Sequence, residues 1–257
     1  MNRSVLFPFH DPEGISIPHF QAILPKLKKL FDSAYLGIDL PTREQQKSFV
    51  DKLTYDPFFK IGFTGSGATF GDHCLAACEL AVQAPNKQVI HFCFVDRLAY
   101  ALQSDFEESF TSDIIKTTAD VAPRLFQRSS SAWETHPKNY CDIEGMAIRA
   151  SELVLHRGLD LTWCHLALTA GQLSSILRLI QRRDLVMLGE MVLLLRDQLT
   201  IQTVDWLAWE DPFILGCDPQ TLKHQREASL AETRKRFSYV IPTLQMLYEI
   251  TSVSQLE

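Results

Sequence analysis

Along the amino-terminal half, short continuous apolar runs alternate with stretches whose apolar residues recur every three or four positions. Ser4–Phe9, Ala34–Leu40, Phe58–Phe63 and Val89–Val95 have strand length and strand composition. Ile17–Phe31, Arg43–Leu53 and the segment opened by Thr69 or Gly71-Asp72, with Leu75, Ala76, Cys78, Leu80 and Ala81, carry helical spacing. Alternation of strand and helix predicts an α/β fold with a mainly parallel sheet buried between helices. Asp105–Thr118 predicts one more helix, and Pro123–Gln127 one more strand.

Beyond Arg128 the pattern changes. Ser129-Ser130-Ser131 signals a loop, and Ser131–Tyr140 is polar, aromatic and proline-containing, as a site-forming loop is. Ile143–Leu155, Leu173–Leu199 and Leu222–Leu247 predict helices, with interruptions expected at Gly189 and Pro242, and Trp206–Pro219 falls between two of them. There is no internal repeat and no low-complexity linker. The economical organisation is a single domain over 1–257, with an α/β half to about residue 130 and a mostly helical carboxyl-terminal elaboration over 131–257.

Composition narrows the classes of function. A chain of 257 residues with 46% hydrophobic content has ample material for a packed core. A net charge of −6 argues against a general affinity for nucleic acid, whose binders present a basic face. The first apolar run breaks at Pro8, too early for a signal peptide. Leu185–Leu195 contains Glu190 and falls short of the roughly 20 residues of a spanning helix, so no membrane span and a cytoplasmic location are expected. Six scattered cysteines read as reduced thiols with no structural disulfide.

Candidate chemistry clusters at the strand ends. Pro8, His10 and Asp11 follow the first strand and Asp39 the second; Gly65 and Gly67, with Asp72 beyond them, follow the third, and Asp96 and Arg97 the fourth. In a parallel sheet all four turns lie along the carboxyl edge, where open α/β sheets bind ligands, and the glycines let backbone N–H groups approach a phosphate. Any one of these turns alone is equally well a turn. Arg97 either neutralises a diphosphate or pairs with Glu107 or Glu108. A second constellation, Arg128, Trp133, Glu134, Thr135, His136, Pro137, Asp142 and Glu144, offers carboxylates, an imidazole and a flat aromatic face to a hydroxylated acceptor. In Trp206–Pro212, Asp211 followed by Pro212 also suits a helix start. His73-Cys74 with Cys78 has no second Cys/His pair to close a zinc site, and no P-loop, Gly-x-Gly-x-x-Gly or Gly-x-Ser-x-Gly motif is present.

With a Pro-aromatic turn after the first strand (Pro8 to Glu13), an acid after the second (Asp39), a glycine segment opening a helix after the third (Gly65 to Asp72) and Asp96 after the fourth, the first 130 residues or so resemble the nucleotide-diphospho-sugar transferases of the GT-A fold. Asp96-Arg97-Leu98 and Thr135-His136-Pro137 also resemble segments of uncharacterised bacterial proteins similar to these transferases. The resemblance implies transfer of a sugar from a nucleotide-diphosphate sugar to an acceptor of unknown identity. It assigns Pro8, His10, Asp11, Asp39, Gly65, Gly67, Asp72 and Arg97 to the nucleotide, and Asp96 to a divalent metal, Mn²⁺ or Mg²⁺. An acid past the sheet, Glu210 or Asp211, would serve as catalytic base or support the acceptor; acceptor activation falls to Glu210, Asp211 or Glu144, with His136 as a further catalytic candidate. Where the family has two acids, this chain reads Phe94-Val95-Asp96. That departure keeps a second reading open, a catalytically inactive nucleotide-binding or protein-interaction relative.

Overall fold

Continuous apolar runs become buried strands. In the computed structural model, which describes residues 2–162 and 165–253, the order is β1 (Arg3–Phe9), α1 (Ile17–Leu30), β2 (Ser33–Ile38), α2 (Leu40–Gln45), α3 (Lys47–Tyr55), β3 (Phe59–Phe63), α4 (Phe70–Ala81) and β4 (Val89–Phe92). Then come α5 (Val95–Gln103), α6 (Glu107–Lys116), β5 (Arg124–Arg128), α7 (Ser130–Thr135), α8 (Lys138–Leu155), β6 (His165–Thr169), α9 (Ala170–Leu177) and α10 (Met187–Leu194). The chain continues through β7 (Thr200–Val204), α11 (Asp211–Leu215), α12 (Pro219–Ala228) and α13 (Leu230–Val253).

Among the described residues the strands form one seven-stranded sheet in the order β3-β2-β1-β4-β6-β5-β7. Only β6 runs antiparallel to its neighbours, and β3, β2, β1 and β4 are the expected parallel set, with Leu6 opposite Tyr35 on one side and Phe92 on the other. Successive strand residues face opposite layers, as the two-residue period requires. Val5, Phe7 and Phe9 join Ala34, Leu36 and Ile38 under α1, α3, α5 and α6, whereas Leu6, Tyr35, Ile90 and Phe92 join α4, α9 and α10 on the other face. Helices thus cover both faces of the sheet, and strand order reverses between β1 and β4.

Several boundaries differ from the sequence reading. The fourth strand stops at Phe92 and Phe94 takes the N-cap position of α5, so Asp96 stands in a helix's first turn, not at a strand end. Arg43–Leu53 divides at Gln46, whose side chain turns to donate to the Pro12 carbonyl at 2.6 Å. The expected loop over Ser131–Tyr140 is α7 and the start of α8, because Ser129 caps α7 and His136-Pro137 starts a second helix. Leu173–Leu199 is interrupted by the polar stretch Gln181-Arg182-Arg183-Asp184, and Leu222–Leu247 divides at Ser229, while α13 runs unbroken through Pro242. No described helix is long and apolar enough to cross a membrane. Cys74, Cys78, Cys93, Cys141 and Cys217 are free thiols, and Cys164 lies outside the described residues.

One contact fixes the distance between α4 and the sheet. A Cβ placed on Gly37 in β2 would lie 1.7 Å from the His73 carbonyl oxygen, so only glycine lets the α4 backbone settle there. Gly37→Ala is expected to cost about 3 kcal/mol, read as a lower urea midpoint with the slope unchanged.

Candidate functional site

The parallel strands bring the expected turns to one edge, where they form two separate groups. In the first, around β1, β2 and β3, most polar side chains serve the local fold. The buried Asp11 carboxylate accepts the N–H groups of Ile15 and Ser16 at 2.8 Å and of Ile17 at 3.0 Å, completing the amino end of α1. Asp39 caps α2 through the Thr42 N–H at 3.3 Å and accepts from His10 Nδ1 at 2.7 Å, leaving the exposed His10 ring its Nε2. Thr64 Oγ1 meets His73 Nδ1 at 2.7 Å. Burial pushes the His73 imidazole below its ordinary value, with Asp39 opposing and His10 reinforcing. Pro8 is buried inside β1.

Gly65 and Gly67 lie in an exposed turn with open space around both, and Gly67 adopts φ +77°. The helix that follows is less accessible. Asp72 forms a capping box with Thr69, accepting its N–H at 2.7 Å, and these bonds hold its carboxyl below the usual range. Gly71 donates its N–H to the Arg183 carbonyl at 2.8 Å, and the Thr69 hydroxyl meets the same oxygen. A Cβ at Gly71 would stand 2.4 Å from the Arg183 backbone. The first turn of α4 is therefore covered by another part of the chain.

The second group joins the first turn of α5 to the loop after β7. Arg97 and Glu210, both buried, approach at 3.4 Å between Nε and Oε1. Arg97 thus pairs with Glu210, whereas Glu107 takes Lys26 at 2.6 Å. Burial pushes the Glu210 carboxyl up to about 7 against the pull of Arg97, with Asp96 and Asp211 adding to the rise. Asp96, half-buried, is raised by the same desolvation and by Asp211, while Arg97 opposes through its charge and its N–H at 2.8 Å. Glu210 Oε2 is buried and has no hydrogen-bond partner among the described residues. Glu210 takes the N-cap position of α11, Asp211 its first residue and Pro212 its second, one step from the expected start.

A third set packs beside it. Arg128, the last residue of β5, makes two bonds to Asp160, from Nε at 2.7 Å and Nη2 at 2.8 Å, and reaches Glu144 from Nη2 at 2.7 Å. Its guanidinium carbon stands 3.4 Å from the Trp133 ring centroid. Glu144 also receives Arg236 at 3.2 Å, so this carboxylate lies between two guanidinium groups. His136 donates from Nδ1 to the Ala132 carbonyl at 2.9 Å. Burial, then Arg128, Arg97 and Arg236, push its imidazole well below the ordinary value, so it stays neutral and presents Nε2 as an acceptor. Glu134 and Asp142 are exposed, and Asp142 pairs with Lys138 at 2.6 Å.

Ion pairs connect the sets. Asp211 meets Arg226 at 3.7 Å, Arg226 meets Glu232, Glu232 meets Arg236 at 3.9 Å, and Arg236 meets Glu144. Asp160, Thr162, whose hydroxyl donates to Glu144 at 3.1 Å, Arg226, Glu232 and Arg236 belong to no sequence motif. Only Glu232 and Arg236, four apart in α13, showed any sequence signal, and that spacing is common on solvated helices.

The one acid expected to hold a metal, Asp96, faces a guanidinium. Among the described residues no group of three or more His, Cys, Asp and Glu side chains is placed to hold an ion, and the cation facing Asp96 is Arg97. A cavity of about 890 Å³ lies between α10, the stretch before it and the end of α13, lined by Arg182, Glu190, Leu193, Met246 and Glu249. None of the expected site residues lines it. A cavity of about 10 Å³, lined by Phe94, Thr162, Val186, Tyr239 and Thr243, lies on the Phe94 side of the fourth-strand turn. No protein-family model matches the chain, and no curated protein is significantly similar to it.

Proposed function

We propose that the chain transfers a sugar from a nucleoside-diphosphate sugar to an acceptor hydroxyl, on a GT-A-like sheet. The observation that carries this reading is the meeting of Asp96, Arg97, Glu210 and Asp211 from segments more than a hundred residues apart. A carboxyl titrating near 7 with one oxygen unpaired is matched to general-base work at neutral pH. Glu210 Oε2 takes the acceptor's proton as the acceptor oxygen bonds to the sugar carbon. The bond from that carbon to the diphosphate breaks, and its electron pair leaves with the phosphate. Asp96, Glu210 and Asp211 stand together against Arg97 and Arg226, and a carboxylate of this group beside the sugar ring favours positive charge developing there. Arg97 holds Glu210 in place, and neutral His136 orients the acceptor through Nε2. The nucleotide rests over the edge at His10 and the Gly65–Gly67 turn, beside the β1/β4 reversal where such sheets take ligands.

A second reading is favoured by one specific observation: the Arg183 carbonyl occupies the Gly71 N–H that a phosphate would use. On that reading the fold binds a nucleotide, or another protein, without turnover. Thermal melting with UDP, GDP, CDP and ADP, each with and without Mn²⁺, tests nucleotide binding itself. One of them at a hundredfold excess over its dissociation constant should raise the midpoint by about 5 °C. No shift from any of the four would remove the nucleotide from both readings.

A further inference from the structure

Of the twelve large apolar side chains exposed among the described residues, six lie on two packed helices: Met146 and Leu153 on α8, and Leu230, Phe237, Ile241 and Tyr248 on α13. Their spacing is ordered. Leu230, Phe237, Ile241, Leu244 and Tyr248 follow one another at seven, four, three and four residues, the step of a helix-to-helix seam. Leu244 is half-buried against Ile143, Ala147 and Val240 where α8 meets α13, so its neighbours along the stripe border that junction. Met146 stands three residues from Ile143 and flanks the junction from α8, with Leu153 two turns further along.

We infer that this face is where a second copy of the chain docks, helix pair against helix pair. The apolar stripe from Leu230 to Tyr248 extends about 27 Å, and two helices about 10 Å wide make a face of about 540 Å². Two copies would bury about 1,100 Å², above the roughly 1,000 Å² that marks a biological interface and in the range of a weak, reversible one. The regular four-and-three step fits a helix as occupant. A lipid surface fits less well, because the stripe from Leu230 to Tyr248 offers one cation, Arg234, where anionic headgroups take a basic cluster, and the chain's net charge is −6.

Sedimentation velocity of the full chain from 1 to 100 µM is the test. The expected result is a reversible monomer–dimer equilibrium with a midpoint of order 10 µM. Ile241 and Leu153 are 61% and 81% exposed, so Ile241→Asp and Leu153→Asp should leave the circular dichroism spectrum unchanged. Each should weaken the dimer about 30-fold, because it buries an unpaired carboxylate in the interface. A wild-type chain that stays monomeric at 100 µM, or a dimer that neither substitution weakens, would overturn the inference. So would wild-type monomer that floats with phosphatidylglycerol vesicles while Ile241→Asp does not.

Discussion

Replacing Arg128 with Met is expected to lower the unfolding free energy by about 3–5 kcal/mol, because it strips a buried carboxylate of its fixed counter-charge. Asp160 receives two guanidinium bonds at 2.7 and 2.8 Å and meets no second cation among the described residues, whereas Glu144 keeps Arg236 at 3.2 Å. Most of the loss therefore belongs to Asp160. Adding Asp160→Asn to Arg128→Met should recover more than half of it, since the orphaned charge goes with the second change. Urea denaturation of the two single variants and the double variant reads both effects. A double variant no more stable than Arg128→Met would show that packing of Arg128 on Trp133, and not charge pairing, holds this region.

Glu210→Gln is expected to alter stability and turnover in separable ways. Glu210 titrates near 7 in the folded chain against an ordinary 4.5, so the folded state holds this proton to higher pH than the unfolded chain does. Ionising it costs the fold progressively from about pH 4.5 to about pH 7, by about 3 kcal/mol in all. Gln cannot ionise, so the variant should gain on the wild type across that window and hold a constant margin above it. Turnover should fall by about 10²–10⁴-fold, the usual worth of a general base. A stability difference independent of pH would mean that Glu210 is already ionised at pH 5 and is simply the partner of Arg97.

The amino-terminal architecture was legible because strands buried on both faces read as mainly apolar runs, as Val5–Phe9 does and as Val89–Phe92 does around a single buried His91. Two strands were not. His165–Thr169, His-Leu-Ala-Leu-Thr, has polar residues at both ends and only three apolar ones between them, and Thr200–Val204, Thr-Ile-Gln-Thr-Val, is a half-exposed edge strand that directly follows the apolar stretch ending at Leu199. The site divides in the same way. Acids and glycines at strand ends could be placed on one edge from chain direction alone. That Asp11 and Asp39 cap helices, and that Arg97 turns to Glu210, depends on contacts between loops that spacing does not encode. Arg226, Glu232 and Arg236 lie on helices where charged residues are ordinary, and only tertiary packing draws them into the ion-pair chain.

Release of nucleoside diphosphate from UDP-, GDP-, CDP- and ADP-sugars, measured between pH 5 and pH 8 for the wild type and Glu210→Gln, decides whether Glu210 is a general base. Release is expected from one class of donor, at a rate that rises with pH and levels above about pH 7 as Glu210 ionises. Glu210→Gln should bind the same donor equally well and release it at least about 100-fold more slowly. Release at the same rate by both proteins, or a bound donor that the wild type never cleaves, would rule out Glu210 as the general base of a transferase.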